Sequence, residues 1–140
     1  MTGRLYRIIE HTADTGFEVT ADSIEQIYEK AAGAFFSIMW QIHSIEKAET
    51  KVVEITGIDP EQLLVNFLEE FLYFYDAKGL VCTRLKIETV TDTKIRARAW
   101  LQKFDSDRDR ELLSVKAVTY HQLFIGRERG GWAARIFLDI

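Results

Sequence analysis

Alternation between apolar and polar residues predicts that much of this chain is β-strand. The stretches read as strands are residues 4–9, 17–21, 52–55, 84–88, 94–100, 113–120 and 132–139. In the last two, the residues expected on the apolar face are Leu113, Val115, Ala117 and Thr119, then Trp132, Ala134, Ile136 and Leu138. Strands with one apolar and one polar side are typical of antiparallel sheets that bury one face.

A helical pattern begins at Ser23. Ser23 and Gln26 have the spacing of a capping box, in which each side chain bonds a free backbone N–H at the helix start. Apolar residues then recur on one face, which predicts a helix of about five turns that runs to residue 42. They are Ile24, Ile27, Tyr28, Ala31, Phe35, Ile38, Met39 and Ile42.

A second helix is predicted between Asp59 and Gly79. Asp59 is a favourable N-cap and Pro60 suits the first helical position, where its missing N–H costs nothing. Gly79 is the expected C-terminal cap. The predicted buried stripe is Leu64, Phe67, Leu68, Phe71, Phe74 and Tyr75.

Two amphipathic helices among antiparallel strands predict an α+β fold. We expect a two-layer sandwich, mostly antiparallel sheet, with both helices packed on one face. A length of 140 residues suits a single domain over residues 1–140.

Composition narrows the function classes. The formal net charge of −4 gives no overall attraction to nucleic acid or to an anionic membrane. The single cysteine, Cys82, excludes an internal disulfide and a cysteine-based zinc cluster, and we expect it to be a small buried hydrophobe. No apolar run reaches the roughly 18 residues of a membrane span, and the start has no signal-peptide core. The expected location is therefore cytoplasmic.

The chain lacks the common catalytic motifs. It has no glycine-rich phosphate loop, no HExxH pair and no nucleophile elbow. Its histidines, His11, His43 and His121, are not spaced three or four residues apart. We therefore predict that the protein is not an enzyme.

Two charged segments could bind ligands. Residues 105–109 (DSDRD) imitate the start of an EF-hand loop, but Arg110 replaces the glycine and Lys116 replaces the final glutamate, so we predict a solvated loop. Lys94, Arg96, Arg98 and Trp100 share one strand face. That face is either an RNA-binding surface or an ordinary wet sheet face.

Carboxylates near residue 140 form the third candidate. If the last strand is ordered to its end, the Asp139 side chain and the Ile140 α-carboxylate lie close together. With Asp14 nearby, they would form an anionic oxygen site for Ca²⁺, Mg²⁺ or Mn²⁺. The alternative is a solvated tail and an Asp14 that caps its own turn.

Three motifs carry a family resemblance. Residues 10–14 (EHTAD) followed by Gly16 and Phe17 resemble the opening motif of the archease family. Residues 116–121 (KAVTYH) resemble its central strand motif and residues 131–140 (GWAARIFLDI) its closing segment. The resemblance covers essentially the whole chain and includes the helical stretch 63–68 (LLVNFL). Thr15 departs from the family pattern, in which a small apolar residue such as valine is expected.

The resemblance implies an accessory protein of tRNA processing. Archeases act on the RtcB-type RNA ligase that joins tRNA exon halves, promoting its GTP-dependent guanylylation and multiple turnover. The family is also linked to chaperone-like modulation of tRNA methyltransferases. The family's divalent metal site would fall on Asp14, Asp139 and Ile140, with Ca²⁺ the expected ion and Mg²⁺ or Mn²⁺ the alternatives. Lys116 and His11 lie in motifs that would take part in partner activation.

Overall fold

The computed structural model describes residues 6–10, 15–46 and 48–140. Within these residues the chain forms two helices and nine strands. In chain order they are β1 (Arg7–Glu10), β2 (Thr15–Ala21), α1 (Ile24–Met39), β3 (Trp40–Gln41), β4 (Glu49–Thr56), α2 (Pro60–Lys78), β5 (Leu80–Val90), β6 (Lys94–Lys103), β7 (Arg110–Glu111), β8 (Ala117–Glu128) and β9 (Gly131–Asp139).

The strands are divided among three sheets. The first has the order β1-β2-β9-β8, the second has the order β4-β6-β5, and β3 pairs with β7 alone. Every strand pairing in the described part of the chain is antiparallel. The predicted α+β fold with mostly antiparallel strands is confirmed.

Both helices pack on strands of the two larger sheets. Helix α1 contacts β2, β9 and β5, and helix α2 contacts β8, β4 and β5. Aromatic rings join the helices, with Tyr28 edge-on to Phe67 and Phe36 edge-on to Phe71. Because α2 has neighbours on several sides, its buried surface is wider than the predicted stripe and also includes Leu63, Val65 and Leu72.

The ends of α2 are those that the sequence predicts. The Asp59 carboxylate accepts a hydrogen bond from the Gln62 backbone N–H at 2.8 Å, and Pro60 is the first helical residue. Gly79 ends the helix with φ of 64°, a left-handed conformation that glycine adopts without steric penalty.

Helix α1 begins as predicted but ends earlier. The Ser23 hydroxyl accepts from the Gln26 N–H, whereas the Gln26 side chain accepts from the Asp22 N–H rather than from Ser23. The prediction of a helix to residue 42 is wrong, because the helix ends at Met39 and the backbone is extended at Trp40. There β3 pairs with β7, and the Met39 carbonyl accepts the Leu112 N–H at 2.7 Å.

The predicted strand at residues 113–120 is also wrong in its start, and its predicted buried face is wrong from Ala117 onward, whereas Val115 is buried as predicted. Strand β8 begins at Ala117 and continues to Glu128. Val118 is buried, while Ala117 and Thr119 are only half-buried. The Glu69 carboxylate of α2 accepts the Val118 N–H at 3.3 Å, and burial raises the pKa of that carboxyl above its usual value.

The loop at residues 105–109 is built around a buried carboxylate. Asp105 and Asp107 are exposed, as predicted, but Asp109 is only 8% exposed, which corrects the prediction of a fully solvated loop. The two Asp109 oxygens accept the backbone N–H groups of His43 and Asp105, each at 2.8 Å. Asp109 therefore joins the loop to the segment that follows β3.

We expect Asp109→Ala to lower the free energy of unfolding by about 2–3 kcal/mol, because two backbone N–H groups lose a charged acceptor. Hydrogen bonds from Asp105 and His43 lower the pKa of the Asp109 carboxyl. Its stabilisation is present above the unfolded-state pKa of about 3.9 and is lost as the pH falls through the lower folded-state value.

Urea unfolding of the wild type and Asp109→Ala between pH 7 and pH 3 measures this effect. The stability difference should shrink as the pH falls. Asp107→Ala, at an exposed carboxylate of the same loop, is the matched control and should change stability by no more than about 0.5 kcal/mol. Equal losses in the two variants would contradict the role given to Asp109.

Candidate functional site

Strand β9 ends at the candidate site. It is an inner strand of its sheet, with β2 on one side and β8 on the other. Its last residue, Asp139, lies opposite Ala117, and the Asp139 carbonyl accepts the Lys116 N–H at 2.7 Å. Lys116, Asp139 and Ile140 are exposed. The structure therefore brings three of the predicted site residues to one end of the sheet.

The other two predicted residues, His11 and Asp14, lie outside the described residues. The residues that flank them are described. Glu10 pairs with Thr15 across β1 and β2, and Thr15 pairs with Leu138 of β9. Thr15, the residue after Asp14 in sequence, therefore lies opposite the residue that precedes Asp139.

A buried aromatic ring supports the outer face of this sheet. Phe17, Ile136 and Leu138 face the core, so the neighbouring Phe137 projects to the opposite side. Phe137 is nevertheless only 2% exposed. It lies opposite Gly16, where a Cβ atom would come within 2.7 Å of both the Phe137 ring and the Ile136 carbonyl oxygen. Glycine in the opening motif thus leaves room for this ring.

Strand β8 contains a four-residue bulge beside the site. Thr119 pairs with Phe137 and Phe124 pairs with Arg135, so residues 120–123 lie opposite the single residue between them. Gln122 in the bulge has φ of 51°, the left-handed region. The pattern of residues 113–120 is that of an ordinary strand, and the left-handed position is occupied by Gln122 rather than by glycine, so no sequence signal marked the bulge.

Side chains fix the base of the bulge. The Thr119 hydroxyl donates to the Phe137 carbonyl at 3.1 Å and accepts the His121 N–H at 3.2 Å. The His121 ring packs edge-on against the Phe137 ring, with centroids 5.9 Å apart. These contacts hold Thr119 and His121 of the KAVTYH motif against Phe137 on the outer face of the sheet.

Within residues 6–10, 15–46 and 48–140, no group of three or more histidine, cysteine, aspartate or glutamate side chains could hold a metal ion. The predicted ligand set includes Asp14, which is not among these residues. Asp139 is the predicted side-chain ligand that the structure describes.

Comparison with known proteins identifies the chain's relatives. A model of the archease protein family matches residues 6–140. This chain belongs to the archease family. It is 40% identical to protein archease of Pyrococcus abyssi over 135 residues, covering 94% of this chain and 95% of that protein. It is 38% identical to protein archease of Pyrococcus furiosus over 141 residues, covering 98% and 99%.

A solved structure agrees with this assignment. The solution structure of Methanobacterium thermoautotrophicum protein 1598 is similar to this chain, with a TM-score of 0.78 and 32% identity. The match covers 97% of this chain and 99% of that one. Archease family membership supports an accessory role related to tRNA splicing and a partner in RNA processing.

The candidate RNA-binding face is an ion-pair network. Arg96 contacts Glu54 at 2.7 Å and Glu88 at 3.1 Å, and Lys94 contacts Glu54 at 3.1 Å. Arg98 contacts Glu88 at 3.6 Å. Hydrogen bonding by Lys94 and its positive charge hold the pKa of the Glu54 carboxyl below its usual range. These cations already have carboxylate partners on neighbouring strands.

The aromatic residue of that face is also engaged. The Arg84 guanidinium lies over the Trp100 ring, 4.4 Å from its centroid. A base that stacked there would have to displace Arg84. The arrangement favours an ordinary sheet face over an RNA groove.

Cys82, the single cysteine of the sequence, belongs to the core of the fold. Cys82 is buried, and burial raises the pKa of its thiol to about 12, which keeps it protonated and unreactive at neutral pH. This confirms the interpretation of Cys82 as a buried residue.

No helix in the described part of the chain is long and apolar enough to cross a membrane.

Proposed function

We propose that this chain activates an RtcB-type tRNA-splicing RNA ligase by promoting its GTP-dependent guanylylation and repeated turnover. One observation carries the proposal. Lys116, Asp139 and Ile140, from two separate family motifs, meet at one end of the first sheet. Strand β2, which follows the EHTAD residues of the opening motif, runs beside β9.

A divalent cation belongs to this proposal. Asp14, Asp139 and a main-chain oxygen of Ile140 would hold it, and we expect Ca²⁺, with Mg²⁺ or Mn²⁺ as alternatives. Pairing of Thr15 with Leu138 supports the grouping, because each residue is next in sequence to one of the two aspartates. When bound, the ion would offset the repulsion between the carboxylates and offer open positions to oxygen atoms of the ligase or its nucleotide.

Activation needs no catalytic group on this chain. A binding protein shifts its partner's conformational equilibrium by the difference between its affinities for the two conformations. Lys116 and Asp139 are joined through their main chains and both are exposed, so this end of the sheet carries both signs of charge for contacts with the partner. His11 of the opening motif is proposed as a further activating residue.

Guanylylation of the ligase tests the proposal. The host's RtcB-type ligase is mixed with GTP and Mn²⁺ without RNA, and covalent GMP on the ligase is followed with and without this protein. We expect faster guanylylation and more than one ligation per ligase molecule once RNA is added. Lys116→Ala should lower the rate without changing the melting temperature, because its side chain is exposed.

Two rival functions predict different results when the guanylylation assay is combined with binding measurements. If guanylylation is unchanged and the protein alone binds tRNA with strong salt dependence, it is an RNA-binding module. If guanylylation is unchanged and a tRNA methyltransferase is bound and modulated instead, the chaperone-like role is correct. Either result would refute ligase activation.

A further inference from the structure

The segment between β6 and β7 presents two arginines to one cavity. Asp109 points inward, where its carboxylate accepts the backbone N–H groups of His43 and Asp105, each at 2.8 Å. Arg108 and Arg110, on either side of it in the chain, are exposed, and both line a cavity of about 420 Å³. The buried carboxylate therefore fixes the backbone from which the two guanidinium groups project.

The opposite wall of this cavity is the chain that follows helix α1. Gln41, Ile42 and His43 complete the lining, and the side chains of Gln41 and His43 are exposed. Gln41 pairs with Arg110 across β3 and β7, so main-chain hydrogen bonds hold the two walls together. None of the described residues that line the cavity is acidic. Its volume lies within the range of about 300–1,000 Å³ that is typical of small-ligand sites.

The protein uses only some of the arginine donors. Arg108 donates through Nη2 to the Ser44 hydroxyl at 3.0 Å and to the Glu46 carboxylate at 3.1 Å, while its Nε and Nη1 have no acceptor among the described residues. The Glu46 side chain is 59% exposed, so this ion pair is weak and exchanges readily for another anion. Arg110 makes no hydrogen bond or ion pair within the described part of the chain.

The carboxylates nearest in sequence have other partners. The Asp105 carboxylate accepts the Asp107 N–H at 3.0 Å. Glu111 follows Arg110 on β7, so it projects to the opposite face, where it accepts a hydrogen bond from the Tyr75 hydroxyl. The described lining therefore carries positive charge, although the net charge of the whole chain is −4.

We propose that Arg108, Arg110 and His43 form an anion site that binds a phosphate group. A guanidinium group presents several N–H donors in one plane, which match the oxygens of a phosphate in paired hydrogen bonds. The His43 ring and the Gln41 amide supply further N–H donors. A phosphomonoester and an RNA backbone phosphate offer the same oxygen atoms. The inference goes beyond the proposed function and does not depend on it, because it uses other residues and needs no ligase.

Nuclear magnetic resonance of the full-length protein tests this site. Inorganic phosphate, uridine monophosphate and an oligouridylate without terminal phosphates are titrated separately, and the arginine Nε–H signals are followed. We expect the signals of Arg108 and Arg110 to shift and saturate with each ligand. Tighter binding of the monophosphate would identify a terminal phosphate as the source, and tighter binding of the oligouridylate would identify the RNA backbone. Either order supports the site.

Two charge-matched variants make the test specific. Arg110→Gln should weaken binding of inorganic phosphate about tenfold, the change expected when a charge-assisted hydrogen bond is lost. Its melting temperature should stay that of the wild type, because Arg110 joins β3 through its main chain. Arg129→Gln is the control, since Arg129 is an exposed arginine in the turn between β8 and β9. It removes the same charge and should leave phosphate affinity unchanged.

Equal losses of affinity in Arg110→Gln and Arg129→Gln would overturn the inference, because they would show attraction by overall charge alone. It would also be overturned by shifts that do not saturate, or by saturating shifts at other arginines while Arg108 and Arg110 stay unmoved. None of these results bears on ligase activation, which the guanylylation assay measures separately.

Discussion

Replacing Asp139 by asparagine is expected to weaken Ca²⁺ binding about tenfold or more and to remove most of the ligase activation. The substitution keeps the size of the side chain and one oxygen ligand but removes a negative charge, which sets much of the affinity of a hard-cation site. The sheet should be unaffected, because the contact from Lys116 is made by the Asp139 main-chain carbonyl. Calorimetric titration with Ca²⁺ and the guanylylation rate measure the two effects.

Asp92→Asn is the matched control for this prediction. Asp92 is an exposed aspartate in the turn between β5 and β6, so the variant loses the same charge elsewhere on the molecule. We expect its Ca²⁺ affinity and its guanylylation rate to equal those of the wild type. Asp14→Ala should behave like Asp139→Asn. Unchanged Ca²⁺ affinity in both Asp14→Ala and Asp139→Asn would eliminate the proposed metal site.

Phe71→Ala is expected to lower the free energy of unfolding by about 3–5 kcal/mol, the usual loss for a buried phenylalanine. Phe71 is almost fully buried and joins the two helices. Its ring is edge-on to Phe36 of α1 at 5.1 Å and to Phe67 at 5.2 Å, and it also contacts Phe74. Truncation leaves a cavity where α1, α2 and the sheets meet.

Equilibrium urea unfolding measures this loss. The fall should be a large fraction of a total stability that is typically 5–15 kcal/mol, so the midpoint should shift strongly. Tyr73→Ala, at an exposed position two residues along the same helix, should change stability by about 0.5 kcal/mol or less. A loss below about 1.5 kcal/mol for Phe71→Ala would show that the ring is not central to the core.

The sequence predicted correctly those features that depend on interactions between residues close together in the chain. Asp59, Pro60 and Gly79 determine the ends of α2 through their own side chains and backbone angles, and the structure confirms all three. The alternation of Ile95, Ala97 and Ala99 identifies the buried face of β6, because successive strand residues point to opposite faces. Three motifs in the right order were enough to indicate the family, which the comparisons show.

The candidate site was predictable only in part. The sequence placed Asp139 and Ile140 together at the end of a strand. It did not place Lys116 beside them, since that depends on the register between β8 and β9. The bulge after Thr119 was missed for a related reason. It is held by contacts to Phe137, eighteen residues away in sequence, and not by turn residues of its own.

By itself, the sequence determined the α+β class, the two helices and their starts, the burial of Cys82, and the family. The tertiary structure decided how the strands divide among sheets, where α1 ends, which aspartate of the 105–109 loop is buried, and that the Arg96 face is an ion-pair network. Helix caps and strand alternation act over a few residues and can be read locally. Strand partners, burial and ion pairing depend on residues that only the folded chain brings together.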